Sequence, residues 1–79
     1  MGVVTELRWS PDKTALYYVT MNDGVRNVWE QPLSGEAPKQ ITHFDSGMIS
    51  TISLTPDGKN LMVVHSTVTY DIILLTGLH

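Results

Sequence analysis

At 79 residues the chain is at most one small domain, of a size that buries only about 60% of the surface its unfolded form exposes, and with no cysteine it has neither a disulfide nor a thiolate metal site to reinforce it. A hydrophobic fraction of 42% against 16% charged residues describes a folded chain rather than a disordered one. The formal net charge of -3, with five basic residues scattered along the chain, lacks the electrostatic footprint of a nucleic-acid binder, and apolar runs such as Ile72 to Leu75 fall far short of the ~18 residues that span a bilayer. No nucleic-acid partner and no membrane insertion are therefore expected.

The first pattern along the chain is an alternation with a period of two. No leader is expected within this sequence, since Met1-Gly2-Val3-Val4 runs straight into that alternation. Val3, Thr5, Leu7 and Trp9 fall on one face of an extended segment, and Val4, Glu6 and Arg8 on the other, which predicts a strand over 3–9. Pro11-Asp12 then makes a turn, since Pro presets one central φ and Asp suits the next position. A second strand is expected from Ala15 to Met21, where Leu16, Tyr17, Tyr18 and Val19 make both faces apolar.

Asn22-Asp23-Gly24 supplies the positive φ that a tight hairpin needs and leads into a third strand, Val25 to Gln31. Pro32 to Pro38 reads as a polar connection, and Lys39 to His43 as a short fourth strand centred on Ile41.

The second half then repeats the first. An offset of 45 places Gly2 on Gly47, Pro11 on Pro56, Asp12 on Asp57, Leu16 on Leu61 and Val19 on Val64, with Leu7 on Ile52 and Trp9 on Leu54 as like pairs. Beyond the hairpin the offset becomes 44, placing Asn27-Val28 on Asp71-Ile72, as the loss of one loop residue would do. Met48 to Leu54, Asn60 to Ser66 and Tyr70 to Thr76 are thus three strands of a second unit whose fourth strand is missing.

Leu7-Arg8-Trp9-Ser10-Pro11-Asp12 and Ile52-Ser53-Leu54-Thr55-Pro56-Asp57-Gly58-Lys59 resemble the W-S-P-D-G-K blade signature of TolB-like, WD-repeat-like β-propellers. Gln40-Ile41-Thr42 is similar to the end of that family's outer strand, and Val28 to Gly35 to its third strand and following turn. The resemblance covers nearly the whole chain and implies an all-β architecture: two tandem antiparallel four-stranded blades, about 3–43 and 48–76, the second lacking its outer strand. Two residues depart from the signature: Leu54 stands in place of Trp, and Lys13 in place of Gly. A non-Gly residue is strained at a positive φ, so the first turn is expected to differ in shape from the second.

Catalytic constellations are weak throughout. Ser10 and Ser34 lack a nucleophile elbow, and Ser10 beside Pro11-Asp12 is expected to bond nearby backbone in the turn. His43, Asp45 and Ser46 crowd one short loop, which neither sets up a triad nor completes a metal site. Asp12 and Asp57 are turn formers on separate units rather than an acid-base pair, and there is no phosphate-binding glycine loop. No catalytic centre, cofactor or metal is expected.

Recognition then falls to the aromatics. Trp9, Tyr17 and Tyr18 are expected to fill the space between sheets, which leaves Trp29 and Tyr70 as candidate contacts for a partner or ligand. The expected function is that of a non-catalytic protein-protein interaction or scaffolding module that self-assembles into a ring, with further copies of itself and another protein as partners. Alternatives are a lectin-like, carbohydrate- or small-ligand-binding oligomer and a fragment of a larger peptidase- or kinase-linked propeller.

Overall fold

A computed structural model describes residues 3–76. Within that span there are seven strands and no helix: β1 (Val3–Trp9), β2 (Ala15–Asn22), β3 (Val25–Pro32), β4 (Lys39–Gln40), β5 (Met48–Leu54), β6 (Leu61–Ser66) and β7 (Tyr70–Leu75). They form two antiparallel sheets, one of four strands in the order β1-β2-β3-β4 and one of three in the order β5-β6-β7. Both sheets are meanders, in which each strand pairs with its sequence neighbour through a short connection. Gly2, the partner of Gly47 in the sequence repeat, lies outside the described residues.

The two sheets match in detail. Their first two strands each shift register once, between Val4 and Glu6 in one sheet and between Ile49 and Thr51 in the other, at positions 45 apart. Cross-strand partners also correspond, Val19 opposite Val28 in the first sheet and Val64 opposite Ile72 in the second.

Alternation decides which side chains meet. Ala15, Tyr17 and Val19 of β2 and Val28 of β3 share one face, and it packs on Ile49 and Ile52 of β5 and Leu61 and Val63 of β6 in a single buried cluster. Leu54, Leu75, Ile41 and Phe44 close its margins. Trp9 and Tyr18 do not take part. Trp9 pairs with Leu16, and Tyr18 with Leu7 and Trp29, so both occupy the face turned away from the second sheet, where Trp9 remains 57% exposed. Only Tyr17 of the three fills the space between the sheets.

The turns after β1 and β5 adopt the same shape, against the expectation from Lys13. Lys13 N–H donates to the Ser10 carbonyl at 2.9 Å, as Gly58 N–H does to Thr55 at 2.8 Å, and Lys13 takes a φ of 60° where Gly58 has 73°. Side chains enforce this geometry. The Ser10 hydroxyl donates to Asp12 Oδ1 at 2.8 Å while accepting from the N–H groups of Thr14 and Ala15, and Thr55 and Asp57 make the corresponding pair at 2.6 Å.

The fourth strand is shorter than the sequence pattern predicts. Pairing covers only Lys39 and Gln40, because the Thr42 hydroxyl replaces a main-chain carbonyl as acceptor for Val28 N–H at 2.9 Å. The Val28 carbonyl in turn receives Ile41 N–H at 2.8 Å, and the chain then leaves the sheet toward β5.

Gly47 sits where that connection enters β5, at a φ of 88°, and a Cβ there would lie 2.6 Å from the Ser66 carbonyl oxygen and 2.7 Å from His65 Nε2. Gly47→Ala is expected to lower stability by about 3 kcal/mol in urea unfolding, combining backbone strain with a clash against main chain. Lys13→Gly is expected to do the opposite, raising stability by about 0.5 kcal/mol once relief of the left-handed φ is set against the extra freedom of the unfolded chain.

Candidate functional site

The seam between the sheets carries a small set of polar groups. Tyr17 is fully buried, and its hydroxyl donates to Glu30 Oε2 at 2.8 Å across the β2-β3 pair. Burial, then that hydrogen bond and the Glu30 charge, push the phenol far above its ordinary value of 10.0. Two contacts cross from one sheet to the other: Arg26 Nη1 donates to the Ile49 carbonyl at 3.3 Å, and the Thr51 hydroxyl donates to Glu6 Oε2 at 3.2 Å. Arg8 holds the same Glu6 oxygen in an ion pair at 2.6 Å.

A second network ties the connecting segment to both sheets. Asn27 accepts from the Thr42 hydroxyl and from Phe44 N–H through Oδ1, at 2.8 and 2.7 Å, and donates from Nδ2 to the Phe44 carbonyl at 3.1 Å. The Phe44 ring stacks on His65 with centroids 3.9 Å apart and planes 10° from parallel. His65 Nε2 lies 2.9 Å from the Ser46 carbonyl, which can only accept, so that nitrogen carries the hydrogen. These side chains were not singled out from the sequence. A polar Asn in the middle of an otherwise hydrogen-bonded strand and a His on the buried face of β6 are the signals that could have marked them.

The candidate contact residues lie far apart in role. Trp29 is half-buried on the outer face of the first sheet, beside its cross-strand partner Tyr18, in a groove of about 620 Å³ that Val25, Asn27, Gln40 and Phe44 also line. Asp23 and Asp45 stand on the same groove. Tyr70 opens β7 and is 76% exposed on the outer face of the second sheet. The fold does not bring Trp29 and Tyr70 together, because the two outer faces point away from each other across the shared core.

Ser10, Asp12 and Asp57 shape turns. Asp12 is held below the usual carboxylate range by the Ser10 hydroxyl first and then by Thr14, and Asp57 is held down by the Thr55 hydroxyl and Lys59 N–H. Carboxylates kept ionised inside turns are poorly suited to donate a proton. His43 is exposed, and no group of three or more His, Asp or Glu side chains that could hold a metal ion occurs among the described residues. What the arrangement offers chemically is an aromatic groove and two open apolar sheet faces. Comparison with models of known protein families and with curated proteins finds no match for this chain.

Tyr17→Phe tests the seam. It is expected to lower stability at neutral pH by about 2 kcal/mol, the usual size for a buried hydrogen bond to a charged group. Because the folded-state value of this phenol is raised, its contribution is fully present below 10.0 and is lost as pH rises from there toward the folded-state value. Urea unfolding across the alkaline range should therefore show the gap between wild type and Tyr17→Phe closing above that pH.

Proposed function

We propose that this chain is a non-catalytic interaction module, a pair of propeller-type blades that associates with further copies of itself and presents the resulting ring to another protein. The observation that carries the reading is the apolar exterior of both sheets. On the first, Val4, Leu7 and Trp9 are 50%, 52% and 57% exposed, and on the second Met62, Ile72 and Leu74 are 39%, 71% and 57% exposed. Apolar side chains gathered over the face of a sheet, rather than scattered singly, mark an interaction surface. Sheets stacked face to face are the way propeller blades cover such faces. The twofold recurrence of the blade signature in the sequence points the same way.

A second reading has its own observation. The groove beside Tyr18 and Trp29, with Asn27, Gln40 and the carboxylates of Asp23 and Asp45 around it, combines aromatic faces with polar groups in the manner of a carbohydrate or small-ligand site.

Light scattering coupled to size exclusion separates them. Self-association gives a native mass that is a multiple of the chain, and about three or four copies with two blades each would make a ring within the usual range of roughly 4 to 8 blades. A chain that stays monomeric at micromolar concentration, while a glycan array shows binding that Trp29→Ala abolishes, would instead establish the ligand-binding reading.

A further inference from the structure

The seam inside the chain joins unlike faces, and this determines what each outer face can accept. The first sheet buries Tyr17 and Val19, whose counterparts at the 45-residue offset are Met62 and Val64. Yet Met62 is exposed, and it is the opposite face of the second sheet, with Leu61 and Val63, that is buried. Leu61 and Val63 correspond to Leu16 and Tyr18, which face outward from the first sheet. One face of the first sheet therefore meets the other face of the second.

The two faces left open are again an unlike pair of the same kind. The outer face of the second sheet carries Met62, Val64, Ile72 and Leu74 at the positions of Tyr17, Val19, Val28 and Glu30. The outer face of the first sheet carries Val4, Leu7, Leu16 and Tyr18 at the positions of Ile49, Ile52, Leu61 and Val63. Each open face has the register of a face that is already packed within the chain.

We infer that a second copy of this chain docks head to tail, the outer face of its first sheet covering the outer face of the second sheet of the copy before it. The inference rests on the self-association proposed above and adds which surfaces meet. A contact between unlike faces leaves each copy with one face still open, so it propagates from copy to copy and closes only as a ring. One polar contact of the internal seam has a counterpart. Tyr70 stands where Arg26 stands, and Val4 where Ile49 stands, which sets the Tyr70 hydroxyl toward the Val4 carbonyl of the next copy. The buried Tyr17-Glu30 pair is replaced by Met62 and Leu74, so the joint between copies contains no buried carboxylate at that place.

The absence of cysteine makes a clean test possible. Val4→Cys and Tyr70→Cys are prepared as separate proteins, both at exposed positions, and treated with a short bismaleimide alone and after mixing by dilution from urea. Head-to-tail docking gives covalent dimers in the mixture and none in either variant alone. Ile72→Glu, on an exposed position, is expected to reduce the native mass to that of one chain while leaving the β-sheet circular dichroism unchanged. If either cysteine variant links to itself as readily as to the other, or if the mixture does not link although the wild type is multimeric, head-to-tail docking is overturned and self-association stands. A monomeric wild type overturns both.

Discussion

Eight side chains from the two sheets form one buried apolar layer, and the rest of the structure is arranged around that contact. Neither sheet can cover its own apolar face, so each supplies the other's covering: Tyr17, Val19 and Val28 from one side, Ile52, Leu61 and Val63 from the other. Because side chains alternate along a strand, choosing this contact also decides what is left outside. Once Tyr17 points inward, Tyr18, Leu16 and Trp29 must point outward, and once Leu61 and Val63 point inward, Met62, Ile72 and Leu74 must point outward. The exposed apolar faces are thus a consequence of the core rather than a separate feature.

Polar side chains in this protein mostly shape the backbone that holds this layer together. Ser10 with Asp12, and Thr55 with Asp57, close two equivalent turns, while Asn27 and Thr42 release the chain from the first sheet and lead it toward the second. The Phe44-His65 stack then joins that connection to β6. The surfaces open to recognition are a groove walled by Tyr18 and Trp29, with Asp23 and Asp45 on it, and the bare face of β6 and β7.

Most strand boundaries were legible because period-two alternation and turn residues are local signals. The spans 3–9 and 48–54 agree with β1 and β5 at both ends, and the other long strands agree to within about a residue. The fourth strand was overestimated because Gln40-Ile41-Thr42 alternates like a strand, while the Thr42 hydroxyl, a side-chain effect outside that pattern, takes over the hydrogen bond to Val28. Lys13 is a similar case. Its intrinsic reluctance toward positive φ is real, yet five hydrogen bonds converging on Ser10 and Asp12 outweigh it. Trp29 and Tyr70 stand out in the sequence as candidate contacts, but that Trp29 is half-buried, Tyr70 exposed, and the two on opposite outer faces was not legible.

By itself the sequence determined an all-β chain in two successive units, the two Asp-centred turns and the hairpins, since each of these follows from residues within a few positions of one another. Only the tertiary structure decided which face of each sheet became core, because both faces of β2 are apolar and either could have been buried as far as local pattern tells. That choice depends on contacts between residues some 35 to 45 positions apart, such as Tyr17 with Ile52 and Leu61 in one cluster, and no window short enough to read as a motif contains them.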